Sequence, residues 1–204
     1  MSFDYHFIHN YKALGQTILH QLSDTYRRRY YGESTIKALE SRNPGMKINR
    51  AVLKKSKLTY EKMTPIDHIH IDMLIDLNIL PKHRIKSLKY MMIVREPLER
   101  FISICNFQQN SPDELIRQLK TNKHDIYYQY KFAQSKYKLK IKTIKMTNKK
   151  GIVRWFSQFN QPIDLTKHDN VSVKKYSMAD LSDEDIAFLT TYYKKDYELF
   201  RNAA

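Results

Sequence analysis

The sequence predicts an α/β fold in which a central, mostly parallel sheet is flanked by helices. Two short apolar runs, residues 5–9 and 90–94, are each followed by a loop and then by a helical pattern, as in strand–loop–helix units. The second run is apolar enough for an interior parallel strand. A third run, residues 137–146, alternates lysine with apolar residues, which indicates a strand with one solvated face.

The elements of the first half follow in order. The strand over residues 5–9 leads into a helix of roughly 14 residues from Gln16, whose apolar side chains recur near the helical period. Residues 32–64 are polar and irregular, so we expect an excursion from the sheet there. A helix is predicted over residues 65–79, and Pro81 ends it before the second strand.

Helix-start signals organise the second half. Pro97 suits the first turn of a helix, because its missing N–H would have no partner there. Ser111 begins an S-P-D-E run that combines an N-cap, an N1 proline and acidic residues in the first turn. Further helices are predicted over residues 148–159 and 182–200, and a capping box at Ser182 opens the last of them.

Length and charge limit the possible functions. The chain has 204 residues, 42% of them hydrophobic, which predicts a single domain over residues 1–204 with a substantial core. Lys and Arg total 36 against 21 Asp and Glu, a formal net charge of +15. An anionic partner is therefore expected, namely a nucleotide, a sulfated or uronic polysaccharide, or nucleic acid. The charge does not choose among these, because lysines on solvated faces produce the same excess.

Cysteine usage and hydropathy indicate the compartment. Cys105 is the single cysteine, so no intrachain disulfide forms; a reducing compartment and a packing role for Cys105 are favoured. The N-terminus lacks a basic region followed by an apolar core, and no segment approaches the roughly 18 apolar residues of a membrane span. We expect a cytoplasmic protein without a signal peptide or membrane anchor.

The end of the second strand has the features of a phosphate site. Arg95 follows the strand, where open α/β sheets bind ligands. Its fork of donors suits a terminal phosphate. Ser103 lies two turns along the next helix and is placed to share that anion. Arg100 is expected to pair with an acid or to pack along the helix.

This segment carries the first of four ordered resemblances to a known family. Residues 95–103 have the pattern R-x-P-x-x-R-F-x-S, which resembles the 3′-phosphate-binding element of sulfotransferases that use 3′-phosphoadenosine 5′-phosphosulfate (PAPS). Residues 7–22 are similar to the family's strand, loop and helix F-I-H-x-P-K-T-x-G-T-S, which wraps the 5′-phosphosulfate. Lys12, Gly15 and Thr17 match that motif.

Two more segments extend the resemblance over most of the chain. Residues 67–79 look like the G-H-hydrophobic segment that supplies the catalytic base in the carbohydrate branch, with Asp67 at the glycine position. Residues 168–200 resemble the closing H-x-N-x-S loop and the family's final helix. The alignment makes His68 the candidate general base and His70 the second choice. Histidines at i and i+2 on a helix cannot share a face, which argues against joint metal ligation.

The resemblance implies a P-loop NTPase-like sulfotransferase fold and transfer of a sulfuryl group from PAPS to a carbohydrate hydroxyl. The desulfated nucleotide PAP would be the product, and no metal would take part. Lys12 would neutralise charge on the departing phosphate oxygen. The acceptor would be a carbohydrate or polysaccharide, neutral or anionic. The nucleotide contacts implied by the resemblance come from Lys12, Ala13, Leu14, Gly15, Gln16, Thr17, Arg95, Ser103, Asn170, Ser172 and Lys174.

Other functions must account for the same residues. A Walker nucleotide-binding motif is absent, because none of the four glycines begins a G-K-[ST] run: Gly15, Gly32, Gly45 and Gly151. A basic nucleic-acid-binding protein is an alternative, motivated by the net charge and by the 15 tyrosines. No recognised nucleic-acid-binding module is visible in the sequence. A catalytically degenerate sulfotransferase-like nucleotide binder is a third hypothesis, motivated by the departures in the Lys12 loop.

The lysines of residues 137–146 have two interpretations. Lys138, Lys140, Lys142 and Lys145 form a basic stripe along the predicted strand. We favour protection of an edge strand against aggregation over a substrate-binding stripe.

Overall fold

A computed structural model describes residues 4–10, 12–22, 36–43, 45–56, 69–121, 128–166 and 173–204. Three parallel strands form one sheet in the order β1 (Tyr5–Ile8), β2 (Lys89–Val94) and β3 (Ile141–Lys145). Helices flank this sheet. The predicted α/β class with a parallel sheet is therefore confirmed.

The middle strand, β2, is the centre of the sheet. Its last five residues are buried, and its neighbours are in register with Phe7 beside Met91 and Ile144 beside Ile93. Burial on both faces explains why this run is apolar throughout. Because all three strands run in the same direction, their carboxyl ends meet at one edge of the sheet.

The helices in the described residues are numbered in chain order. They are α1 (Gly15–Leu19), α2 (Ile36–Arg42), α3 (Arg50–Lys55), α4 (Ile71–Asp76), α5 (Pro97–Gln108), α6 (Pro112–Thr121), α7 (Gln129–Phe132), α8 (Lys149–Ser157), α9 (Asp183–Tyr192) and α10 (Lys194–Asn202). Short 3₁₀ turns occupy Lys82–Arg84 and Met178–Asp180.

Several predicted starts are confirmed. Pro97 opens α5, the Ser111 hydroxyl accepts a hydrogen bond from the Glu114 N–H, and Ser182 forms the predicted capping box.

Cys105 is fully buried, and burial raises the pKa of its thiol to about 12. Trp155 is also in the core, where its ring meets Tyr5 of β1 edge to face at 5.5 Å.

Within the described residues, the helix predicted over residues 65–79 and the strand predicted over residues 137–146 are both too long. Residues 65–68 lie outside the described residues. Helix α4 begins only at Ile71, because His70 has extended ψ and acts as its N-cap. Strand β3 begins only at Ile141. Lys138 has a φ of 54°, a left-handed conformation that cannot continue a strand.

The first and last helices also differ from the prediction. Helix α1 ends at Leu19, followed by a turn, and the rest of its predicted length, from residue 23, lies outside the described residues. The final helix is divided in two. Tyr193 has a φ of −94° and a ψ of 18°, and it is both the C-cap of α9 and the N-cap of α10. Its ring is buried in the core at this bend.

The outer edge of β3 is partly covered. The Ala204 N–H donates to the Thr143 carbonyl at 3.1 Å, and the Lys145 N–H donates to the Ala204 carbonyl at 2.8 Å. Lys138, Lys140 and Lys142 are exposed beside this edge. Their protective role stays a prediction.

None of the helices in the described ranges is both long and apolar enough to cross a bilayer.

Candidate functional site

The loop after β1 has a backbone suited to holding an anion. Lys12 and Leu14 have φ values of 60° and 58°, whereas Ala13 and Gly15 keep negative φ. This alternation turns successive N–H groups toward one side and makes a concave anion-binding nest. Helix α1 follows directly, and its first N–H groups have no intrahelical acceptor. Residues 12–17 are the segment that the sequence predicted to wrap a phosphate.

The Lys12 side chain reaches from this loop to α5. Its Nζ lies 4.3 Å from the centroid of the Phe107 ring, a cation–π contact. Burial lowers the pKa of Lys12, and the positive charge of Arg95 lowers it further. The two predicted phosphate ligands are therefore close enough to repel each other.

Arg95 lies at the carboxyl end of β2 and is largely buried. Its Nε is 3.7 Å from the carboxylate of the exposed Glu99, one turn along α5. Burial lowers the pKa of Arg95, and Glu99 opposes this shift. The carboxylate of Glu96 opposes the shift as well. Lys12 and Arg95 are therefore brought together beside the carboxylates of Glu96 and Glu99.

A buried pair of carboxamides joins the two loops. Gln129 of α7 uses its Oε1 to accept hydrogen bonds from the Arg95 N–H, at 2.9 Å, and from Asn10 Nδ2, at 2.8 Å. Its Nε2 donates to the Arg95 carbonyl at 2.8 Å. Asn10 lies just before the nest and also donates to the Ile93 carbonyl. These bonds hold the ends of β1 and β2 at a set separation.

Helix α7 is held in turn by a buried ion pair. The Asp196 carboxylate of α10 accepts from the N–H groups of Gln129 and Tyr130, at 3.0 and 2.8 Å, and from the Arg100 guanidinium at 3.5 Å. Burial raises the pKa of Asp196, against the opposing effects of Arg100 and the two N–H groups. The expectation that Arg100 pairs with an acid is confirmed.

Helix α5 also anchors the end of the predicted closing loop. Asn106 accepts from the N–H groups of Lys175 and Tyr176 and donates to the Tyr176 carbonyl at 2.9 Å. Ser103, one turn earlier, is half-buried, and its hydroxyl makes no hydrogen bond with the residues that the structure describes. Lys174 is exposed beside the anchor. The remaining loop candidates, Asn170 and Ser172, lie outside the described residues.

The second candidate base has a structural role. The Nδ1 of His70 accepts from the Asp72 N–H at 3.2 Å, and its Nε2 lies 2.6 Å from the Lys131 carbonyl. Both contacts are satisfied by the neutral ring protonated on Nε2. Both ring nitrogens are therefore engaged in hydrogen bonds within the fold. His68, the preferred base, lies outside the described residues.

His70 is nevertheless near the site. Lys131, which His70 contacts, is two residues from Gln129 in α7, and Gln129 is bonded to Arg95. Four predicted segments therefore meet around α5 and α7. They are the Lys12 loop, the Arg95 strand end, the residues 67–79 segment through His70 at the start of α4, and residues 175–176 at the end of the closing loop.

Sequence reasoning missed Asn10, Gln129 and Phe107. Asn10 had a usable signal, because a polar residue directly after a buried strand lies at the edge where ligands bind. Gln129 had none, since its partners are distant in sequence. Phe107 was not considered, because an aromatic residue near a helix end normally packs in the core.

Within the described ranges, no three His, Cys, Asp or Glu side chains are grouped so that they could hold a metal ion. No protein-family model matches the chain, and neither the curated proteins nor the solved structures include a match.

Proposed function

We propose that this protein is a PAPS-dependent sulfotransferase with P-loop-like topology, acting on a hydroxyl of a carbohydrate. One observation carries the proposal. Lys12, from the loop after β1, and Arg95, from the end of β2, lie close together at the carboxyl edge of a parallel sheet, beside a nest of backbone N–H groups. Two cations brought together beside a nest favour a ligand with more than one anionic group.

Each residue then has a role. The nest over residues 12–17 would hold the 5′-phosphosulfate, and Lys12 would neutralise the charge that develops on the leaving phosphate oxygen. Arg95 and the unpaired hydroxyl of Ser103 would hold the 3′-phosphate. PAPS, when bound, supplies the activated sulfuryl group. The protein's contribution is to position the donor and the acceptor hydroxyl and to stabilise charge.

A nucleotide binder without turnover is the second candidate. This alternative is favoured because both ring nitrogens of His70 are occupied by hydrogen bonds. Of the two predicted bases, His68 then remains. PAP binding without sulfuryl transfer to any acceptor would support this alternative.

Replacing Arg95 with alanine tests the proposed site. We expect the affinity for PAP to fall about 10- to 150-fold, because a charge-assisted hydrogen bond contributes about 1.5–3 kcal/mol. The affinity for adenosine 5′-monophosphate, which lacks the 3′-phosphate, should change much less. Isothermal titration calorimetry measures both, with Arg154→Ala on the exposed face of α8 as the control. Equal losses for the two nucleotides would contradict the role.

Thermal stabilisation separates this proposal from nucleic-acid binding. PAP should raise the melting temperature of the enzyme in proportion to the logarithm of its concentration above Kd. A protein that only binds nucleic acid would be stabilised by oligonucleotides and not by PAP.

Proton uptake tests Lys12. Because the pKa of Lys12 is lowered in the free protein, a bound anion should raise it again by favouring the charged form. Binding should take up a proton between the lowered pKa and the ordinary lysine value of about 10.4, and affinity should fall as pH rises through the lowered pKa. Calorimetry in buffers of different ionisation enthalpy measures the uptake. The proton uptake should vanish in Lys12→Met. It should persist in the control Lys54→Met, which removes an exposed lysine of α3. Proton uptake that persists in Lys12→Met would show that another group binds the proton.

A further inference from the structure

Two buried side-chain atoms at the junction of the loops have no hydrogen-bond partner among the described residues. They are Oδ1 of Asn10, an acceptor, and Nε of Arg95, a donor whose nearest acid is the Glu99 carboxylate at 3.7 Å. Folded proteins contain few such atoms, because each costs about as much as a lost hydrogen bond. Here an acceptor and a donor occur together, on two residues that share one partner.

The orientation of Asn10 is set by its neighbours. Its Nδ2 donates to the Ile93 carbonyl at 3.2 Å and to Gln129 Oε1 at 2.8 Å. Because a backbone carbonyl can only accept, the amide cannot be turned round without losing that bond. The residue is 1% exposed, so its Oδ1 is held as an acceptor where the loops after β1 and β2 meet.

An acceptor in this place is unfavourable for a bare anion. Oδ1 carries lone pairs and partial negative charge, so it repels phosphate or sulfate oxygens that Lys12 and Arg95 attract. A ligand that carries a hydroxyl or amine beside its anionic group satisfies both atoms, since its anionic oxygen accepts from Arg95 and its donor bonds to Asn10. The ribose phosphate part of a nucleotide has this chemistry, whereas inorganic anions do not.

We propose that Asn10 is a specificity-determining binding residue, whose carboxamide oxygen accepts a hydrogen bond from a hydroxyl or amine next to the anionic group held by Lys12 and Arg95. The ligand class is a phosphorylated or sulfated compound with a neighbouring donor. This inference rests on the proposed anion site and adds a residue and a selection rule to it. Gln129 acts as the positioning residue for Asn10.

The test compares two ligands in one protein, so that any loss of folded protein cancels. Affinities for PAP and for inorganic pyrophosphate are measured by calorimetry in the wild type and in Asn10→Ala. We expect Asn10→Ala to weaken PAP about 5- to 150-fold and to leave pyrophosphate unchanged or tighter. An equal loss of affinity for both ligands overturns the proposal, because Asn10 then acts only through the fold. Unchanged affinity for both ligands also overturns it.

A second measurement needs no variant. Glycerol 3-phosphate and propyl phosphate differ in hydroxyl groups but not in the phosphate group, and their displacement of PAP from the wild type is compared. Preference for glycerol 3-phosphate supports the proposal, and equal displacement overturns it. If the wild type binds neither PAP nor pyrophosphate, the proposed function itself fails and this inference fails with it. If the wild type binds PAP but neither the Asn10→Ala comparison nor the comparison of the two phosphates shows the expected difference, only the role of Asn10 is contradicted.

Discussion

Replacing Asp196 with alanine is expected to lower the free energy of unfolding by about 3–5 kcal/mol, because the change removes the carboxylate that pairs with the buried Arg100 guanidinium. Both side chains are almost fully buried. The variant also leaves the N–H groups of Gln129 and Tyr130 without their acceptor, which adds to the cost. Urea unfolding measures the change as a lower midpoint with an unchanged slope.

The matched control is Glu198→Ala, which removes an exposed carboxylate from the same helix and should change stability by less than about 0.5 kcal/mol. In the double variant Arg100→Met, Asp196→Leu, both charges are removed, so the loss should be smaller than for Asp196→Ala alone. A destabilisation in Asp196→Ala no greater than in Glu198→Ala would show that the ion pair does not stabilise the fold. Because Asp196 holds Gln129, we also expect weaker PAP binding in this variant.

Replacing His68 with alanine is expected to reduce turnover about 100- to 10,000-fold, the usual contribution of a general base. Binding of PAP should remain near the wild-type value, since the proposed anion contacts come from Lys12, Arg95 and the nest. Transfer of labelled sulfate from PAPS to polysaccharide acceptors measures the first quantity, and calorimetry with PAP measures the second.

Two other histidines serve as comparisons for His68→Ala. His83→Ala removes an exposed ring from the 3₁₀ turn before β2 and should leave turnover unchanged. His70→Ala removes the N-cap of α4 and the contact with Lys131, so it should lower stability by about 1 kcal/mol. Unchanged turnover in His68→Ala would refute its assignment as the base. An inactive wild type that binds PAP would favour the nucleotide binder without turnover.

The parts of the fold with local signals could be predicted from the sequence. The apolar run of β2 predicted an interior strand, and Pro97, Ser111 and Ser182 predicted helix starts, because each depends on residues within one turn. The breaks could not be predicted. Lys138 has a left-handed backbone that lysine does not favour, and the final helix divides at Tyr193, whose ring is buried.

The candidate site shows the same division. Lys12 and Arg95 follow buried strands, so their meeting at one sheet edge is a consequence of parallel pairing that the sequence already indicates. The loops that carry them, however, are bridged by Gln129, which is 119 residues from Asn10 and 34 from Arg95 in the chain. Contacts over such separations leave no periodicity or motif in a single sequence. His70 was predicted to lie inside a helix. Its extended ψ makes it an N-cap instead, and its ring contacts the distant Lys131 carbonyl.

The position of Trp155 provides an intrinsic optical probe. It is the single tryptophan of the chain, and its indole packs against Tyr5 under β1, an element whose carboxyl end carries the nest. Its fluorescence in the native protein should have the short-wavelength maximum of an apolar environment and should move to longer wavelength when the sheet separates from α8. Unfolding of every variant described above can therefore be followed without a label.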